Sequence, residues 1–596
     1  MLQNFQSIKI DNMFALFAVL PVLISSLLIL AIRKNRAAKY IALAGSIISL
    51  AFAVIVFLTP SAQYSVDWFS ASNLVFHITI VTYALNKILL LLVAAITPLI
   101  FTYSIGFMDV QREQSRFYTE IGIFAAAMML FAISGNLITM FIAWEVLGIT
   151  SYLLIGFWYN KQKPPLAARK SITTIIIGDI FFLMAIVVIL SAYGTTNIAS
   201  LISTAQNSHI QLPLDASLIF ILVAVFTKSA QFPFHEWLSD AMEGPTPVSA
   251  FLHSSTMVKA GVFLVMVLLP LYAMANLEWI LLVIGIASAT VAIMNALSEH
   301  HIKKILAYST IEDLSLMLIA LGLNNLLAAL LLFIVQTFYK ALLFMGAGYV
   351  MKANDGEEDI FKVYNIKKNK MLFATVVIGV LSLAGVAPFG GFFAKASLDS
   401  SATDIYVYAA LLAFDLLSSM YIFRWLIVPS GKSDKNMQYK APRSMAIPMA
   451  ILAAFTAISG ISFFALGMNS AQPLNILDMV IESGLVISGF IISYLFYAKG
   501  LLPNVSLYSL KYRIMHNSFF LNIFYYKIAG FFEELGEQFD LFDHSVNRLF
   551  NMCGGTLVRS GNFIRKVENG NVNVYAVIFV FGIVALLAVF EIVAVL

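Results

Sequence analysis

Residues 218–234 read LIFILVAVFTKSAQFPF. The run Leu218–Phe226 carries no charge, and Lys228 then arrives with Ser229-Ala230-Gln231-Phe232-Pro233-Phe234 behind it. An unbroken apolar run predicts a buried helix, because a transmembrane strand would alternate apolar and polar residues. Proline has no amide hydrogen for a helix and crowds the preceding turn, so the helix is interrupted just after the lysine. The pattern returns at 384–395, AGVAPFGGFFAK, where Ala384–Gly391 interrupts a second span and Lys395 follows. Counted along the chain, these are the seventh and twelfth spans. They lie five apart and so cross in opposite directions. Paired Pro/Gly-broken spans at corresponding places point to inverted repeats around an ion site near the midplane. Two ordinary proline kinks are the alternative, and the accompanying lysines weigh against it.

Composition agrees with a membrane chain. Of 596 residues, 60% are hydrophobic and 11% charged, with a mean hydropathy of +0.89. Soluble domains carry about 25% charged residues, so a secreted enzyme, a nucleic-acid binder and a disordered scaffold are all excluded. At roughly 20 apolar residues per span, the chain divides into sixteen candidate transmembrane helices. The apolar stretch after Asp11 lacks the basic region and small-residue cleavage site of a signal peptide and is read as the first span. The single cysteine, Cys553, provides neither an internal disulfide nor the thiolates of an iron–sulfur cluster.

Positive charge sorts between alternate loops. Arg33, Lys34, Arg36 and Lys39 follow the first span, Arg112 and Arg116 the third, and Lys161, Lys163, Arg169 and Lys170 the fifth. Lys303 and Lys304, the segment Lys362–Lys370, and Lys432, Lys435, Lys440 and Arg443 continue the series. The intervening loops 59–76, 192–215, 270–278, 396–404 and 468–477 hold no Lys or Arg. The positive-inside rule then places both termini on the outer face. The 235–246 loop is the exception, with Glu236, Asp240 and Glu243. It is either a proton-collecting mouth or a docking surface for another subunit. Beyond residue 500, both charge signs mix with aromatics. Phe524, Ile528, Phe531, Phe532 and Leu535 recur at helical spacing, which predicts an amphipathic helix lying along the interface.

A charge near the bilayer centre costs about 2.5–3.5 kcal/mol. The candidates here are Lys87, Glu145, Asp179, Lys228, His253, Lys259, Lys340, Lys395 and Asp415, with Glu312 and Asp313 near a mouth. Left unpaired, they would cost of order 20 kcal/mol, more than a typical net stability. They must therefore pair or contact internal water. Glu145 has no local basic partner, and Lys228 is its expected one. The pair is either a proton carrier, whose lysine holds its proton according to the acid beside it, or a static salt bridge. His253, close to Pro245, Pro247, Ser254 and Ser255, is read as a relay, with a satisfied core histidine as the alternative. Lys87 and Lys259 either join the series or snorkel to an interface. No other chemistry fits. Gly431-Lys432-Ser433 lacks the upstream glycine of a phosphate loop, there is no H-E-x-x-H, and His300-His301 is read as a loop beside Lys303. No cofactor and no metal are expected in this chain.

These residues carry a family likeness. YSIGFM (103–108), IAWEVLGITSYLLIGFWY (142–159), FTKSAQFPFHEWLSDAMEGPTPVSAFLHSSTMVKAG (226–261), IKKILAYSTI (302–311), TFYKALLF (337–344) and APFGGFFAK (387–395) resemble the antiporter-like subunits of respiratory complex I and the related Mrp-type sodium/proton antiporters. The segment 506–566 followed by VENGNVNVYAVIFVFG (567–582) resembles the lateral helix and last span of the NuoL-type (subunit L) members. The resemblance implies an all-α polytopic fold with this organisation: helices 1–3 over 1–110, a first repeat over 111–270, an inverted second repeat over 271–430, helices 14–15 over 431–500, a lateral helix over 501–571 and a last span over 572–596. It implies proton transport through Glu145, Lys228, His253, Lys340 and Lys395, with Asp179 at a matching position. The implied setting is a multi-pass protein of a prokaryotic cell membrane, driven by redox chemistry in other subunits. Its implied partners are the bilayer, protons and neighbouring membrane-arm subunits contacted by the lateral helix. A Mrp-type Na+/H+ antiporter subunit is the alternative. The chain departs from the family where Gln336-Thr337 replace a histidine-bearing stretch, at Asn86-Lys87, and where Ala396 and Ser397 follow Lys395 in place of acids.

Overall fold

The computed structural model describes residues 10–32, 34–71, 74–207, 211–364, 366–431, 441–467 and 476–499, with 548, 550–552, 554–562, 577–583 and 585–586 beyond them. Helices α1 (Ile10–Ile32) and α2 (Asn35–Leu58) come first, followed by strands β1 (Gln63–Ala71) and β2 (Leu74–Val81). Next are α3 (Ala84–Phe107), α4 (Gln114–Ile133), α5 (Leu137–Ile155), α6 (Lys163–Tyr193), α7 (Ile198–Asn207) and α8 (Gln211–Lys228). The middle of the chain forms α9 (Glu236–Asp240), α10 (Thr246–Ser254), α11 (Met257–Ala275), α12 (Glu278–Ser298), α13 (Ile302–Gly322) and α14 (Leu326–Ala353). Then come α15 (Lys370–Ala384), α16 (Gly390–Asp399), α17 (Ile405–Ile427), α18 (Arg443–Gly467) and α19 (Ile476–Ser493).

Among the described residues, thirteen helices are long and apolar enough to cross a membrane. The chain is an all-α polytopic membrane protein. It divides into two compact units, Met1–Phe519 and Phe520–Leu596. In the second unit the described residues are helical. The expected lateral helix over 501–571 and last span over 572–596 otherwise lie outside the described residues.

Burial in the first unit runs opposite to water-soluble logic. Helix α13, with Lys303, Glu312 and Asp313, is buried along almost its whole length, whereas α1 and α2 expose Ile24, Leu27, Leu28, Ile47 and Ile48. Lipid rewards apolar residues on the outside, so helices that carry charge are driven to the middle of the bundle.

Both predicted interruptions are present. Helix α8 ends at Lys228, and its loose ends are satisfied by neighbours, as they must be in lipid. The Phe232 amide donates to Ser288 Oγ at 2.9 Å, the Trp237 indole to the Thr227 carbonyl at 2.9 Å, and Ser315 Oγ to Gln231 Oε1 at 2.9 Å. At the second break Gly385 takes a left-handed φ of +79° and caps α15. Helix α16 then starts so close to α15 that a methyl on Gly391 would stand 1.7 Å from the Ser382 carbonyl oxygen. A third interruption, at Ser255–Thr256, separates α10 from α11, and the Thr256 hydroxyl donates to the Phe251 carbonyl at 2.8 Å.

The 59–76 segment, read from the sequence as a loop without Lys or Arg, contains most of a β-hairpin. Strands β1 and β2 pair antiparallel from Gln63↔Val81 to Ala71↔Leu74. A lone hairpin is marginal, and this one is held to the α4–α5 junction. The Gly135 amide donates to the Thr79 carbonyl at 2.9 Å, and Asn136 Nδ2 to the His77 carbonyl at 3.2 Å. On the opposite kind of junction, His301 caps α13, its Nδ1 accepting from the Lys303 amide, and its Nε2 lies 3.0 Å from Glu358 Oε2. The His301 ring holds the Glu358 carboxyl down to about 2, against the effect of burial.

Three outcomes follow. Gly391→Ala must push α16 off α15, at a cost of about 3 kcal/mol or more. In contrast, Gly484→Ala, where a methyl meets nothing within 4 Å, should be neutral or stabilising by up to about 1 kcal/mol. Thermal unfolding of the detergent-solubilised protein checks both. The Glu358 contribution is present above the ordinary carboxylate value near 4.3 and is lost as pH falls through about 2. Glu358→Gln should therefore shrink the loss of melting temperature between about pH 5 and pH 2, and an unchanged loss would remove the contact from the account.

Candidate functional site

Three lysines stand inside the bundle, each with an aspartate from a neighbouring helix. Lys228 Nζ, on the last residue of α8, lies 3.7 Å from Asp179 Oδ1 of α6. It also donates to the Trp144 carbonyl at 3.0 Å and sits 4.7 Å over the Trp144 ring, whose indole donates to Asp179 Oδ1 at 2.6 Å. Lys340 Nζ of α14 lies 2.9 Å from Asp313 Oδ2 of α13 and donates to Ser309 Oγ at 2.5 Å. Lys395 Nζ of α16 lies 2.9 Å from Asp415 Oδ1 of α17. All six residues are buried.

Other buried polar residues are held by neighbouring helices. His253, in the last turn of α10, is fully buried and stacks on Phe344 with ring centroids 4.6 Å apart. Neither of its ring nitrogens has a hydrogen-bond partner among the described residues, and the charges of Lys340 and Lys303 act on it. Gln336 Nε2 donates to the His253 carbonyl at 3.0 Å. Lys259 of α11 donates to Thr337 Oγ1 at 2.5 Å and to the Phe333 carbonyl. Glu312 accepts from the Ser418 and Tyr421 hydroxyls, which join α13 to α17.

Several expectations are corrected by this geometry. The close acid at Lys228 is Asp179 rather than Glu145. Glu145 follows Trp144 on α5 and is half-buried, with no nitrogen–oxygen contact to Lys228 inside 4.0 Å. Its charge and those of Lys228 and Asp179 still act on one another. The reason is helical phase: the face of α5 that carries the Trp144 carbonyl meets Lys228, and the next residue turns away. Lys259 does not snorkel, since it is fully buried against α14. Lys87 donates to the Thr59 carbonyl and so caps α2. In the 235–246 loop, Asp240 is held by Lys170 at 2.7 Å and Lys304 at 3.8 Å, while Glu236 is buried beside His235. Asp313 and Asp415, noted in the sequence without partners, are the acids of the second and third pairs. Glu482 of α19, fully buried, escaped the sequence reading, although a lone acid in the apolar run 479–493 was a usable signal.

Comparison with known proteins comes down on one family. The family described as NADH:quinone oxidoreductase/Mrp antiporter, transmembrane, is matched over residues 134–420. NADH-quinone oxidoreductase subunit L of Campylobacter jejuni is 32% identical over 485 residues, covering 79% of this chain and 80% of its own. The subunit of the same name from Neisseria meningitidis is 28% identical over 602 residues, covering 87% and 88%. Among solved structures, the Mrp complex of a Dietzia species superposes with a TM-score of 0.71 at 22% identity, covering 98% of this chain and 63% of the other. An archaeal membrane-bound sulfane sulfur reductase gives 0.68 at 19%, covering 81% and 99%. These structures share the fold, and the subunit L relatives match over 79% and 87% of this chain: this protein belongs to the NADH-quinone oxidoreductase subunit L family.

Proposed function

We propose that the chain is a proton-translocating membrane-arm subunit of a complex I-like oxidoreductase. It moves H+ through its buried lysines and acids while redox chemistry proceeds in other subunits. The observation that carries this reading is the set of three buried Lys–Asp pairs, Lys228–Asp179, Lys340–Asp313 and Lys395–Asp415, with His253 and Lys259 buried against α14. A buried ammonium is tolerated only while an acid stays close, so weakening one pair loosens that lysine's hold on its proton and strengthens the pull on its neighbour. In each hop an N–H bond breaks on the donor lysine and an O–H or N–H bond forms on the next carboxylate, imidazole or amine. Lys228, Asp179, Glu145, His253, Lys340 and Lys395 are the residues assigned to this path, with Asp313 and Asp415 as the paired acids.

The finer architecture belongs to the same proposal. It comprises sixteen spans, two inverted five-helix repeats centred on the breaks after Lys228 and before Lys395, and both termini on the outer face. The lateral helix over 501–571 would lie along neighbouring membrane-arm subunits. The chain itself would hold no redox cofactor and contribute to catalysis only as part of the assembled enzyme. A Mrp-type Na+/H+ antiporter subunit is the second reading, favoured by the fold shared with the Dietzia complex. It is the less specific of the two, because the relatives named subunit L match over 79% and 87% of this chain.

The test is proton uptake per electron pair in inverted membrane vesicles containing the intact complex. Lys228→Ala should assemble and lose about tenfold or more of that uptake, and wild-type uptake would refute the assignment. Asp313→Asn leaves Lys340 without its acid. It should lower uptake by a similar factor and destabilise the bundle by about 3 kcal/mol or more, since it strands a buried charge. Uptake that requires added sodium and is lost in a sodium-free control would favour the antiporter reading instead.

A further inference from the structure

Helix α19 runs ILDMVIESGLVISGFIIS. It exposes Leu477, Val480, Ile487, Phe490 and Ile491, yet turns Glu482 inward with Val486 one turn later, and Glu482 is 0% exposed. A helix with so apolar an outer face gains nothing from a buried carboxyl, which costs energy in lipid unless it works with a charge. Among the described residues, Lys395 is a charge on which the Glu482 carboxyl acts. Gly385, the left-handed cap at the second break, has no side chain. A methyl there would lie 3.1 Å from Glu482 Oε1 and 3.3 Å from Lys395 Cδ. The carboxyl and the lysine stem thus flank the same point, and the missing side chain is what leaves the space between them open.

Charge balance makes this more than a second ion pair. Asp415, Glu312 and Glu482 all act on the one ammonium of Lys395. Glu312 and Asp415 are themselves buried, and Lys340 is already taken by Asp313. Three carboxyls therefore share the field of one lysine, and a proton leaving that amine has acidic groups near it to receive it. Asp415 has the short contact to Nζ, and Glu312 is occupied by the Ser418 and Tyr421 hydroxyls.

We propose that Glu482 is the proton-accepting carboxyl of the terminal lysine, taking the proton from Lys395 and passing it out of the bundle. In the transfer the Lys395 N–H bond breaks and a Glu482 O–H bond forms, leaving a neutral amine beside a neutral acid. This rests on the conduction reading above and adds to it a residue on the helix beyond both broken spans.

Proton uptake per electron pair, measured in the same vesicles, tests it, with assembly followed on native gels. Glu482→Gln keeps the shape and removes the titrating group, and uptake should fall about tenfold. Glu482→Asp should keep most of it. Glu482→Met serves as a second neutral variant should Gln fail to assemble. Wild-type uptake in either assembled neutral variant overturns the proposal, as does failure of both to assemble, which would make Glu482 a structural element. If Lys228→Ala and Asp415→Asn abolish uptake while Glu482→Gln does not, only the role of Glu482 falls. If all three pump normally, the conduction reading itself falls.

Discussion

An ammonium buried in lipid has to keep an acid within reach, and that requirement organises this bundle. Lys228 ties α8 to α6, Lys340 ties α14 to α13, and Lys395 ties α16 to α17. Each pair joins two helices, so the pairs fix which helices are neighbours and hold the polar face of each away from lipid. Removing one partner from such a pair costs about 3–5 kcal/mol, whereas the intact pair is worth far less. The arrangement is thus more a matter of geometry than of net stability, and a geometry held by weakly favourable pairs can be redistributed when a proton moves.

The interrupted helices serve the same end by different local means. Lys228 is the last residue of α8, where the negative end of the helix dipole favours a cation. The residues that follow are bonded into α12 and α13 through Ser288 and Ser315. Lys395 instead lies inside α16, beyond a break tight enough that Gly391 packs against the Ser382 carbonyl. The first break ends a helix at its lysine, and the second lets α16 start hard against α15 through Gly391. Between them α13 and α14 supply Glu312, Asp313 and Lys340. These two helices contribute little surface to lipid, which is why polar residues survive in them.

Much of the site is readable along the chain because lipid makes each internal charge conspicuous. Lys228, Lys340 and Lys395 stand out in apolar runs, and proline and glycine mark the breaks beside two of them. Partners are a different matter. Glu145 looked closest to Lys228 by motif, but the helical turn between Trp144 and Glu145 delivers the Trp144 carbonyl and leaves the close acid to Asp179 on another helix. For Lys259 the sequence left a place in the series and a snorkelling role equally open, and it is packed against Phe333 and Thr337 of α14. The hairpin β1–β2 was hidden for the reverse reason: strands carry weak local signals, and these are held by the α4–α5 junction rather than by their own sequence.

The sequence by itself determined the solvent of this protein, the helical class, the two interruptions and which residues must be kept out of lipid. All of these follow from transfer energies and backbone chemistry that act residue by residue. The tertiary structure alone decided which acid faces which lysine, that Lys259 lies deep, and that Glu482 meets the terminal lysine across Gly385. Pairing at 3–4 Å depends on the rotation and offset of helices distant in the chain, and that phase is set by how the bundle packs.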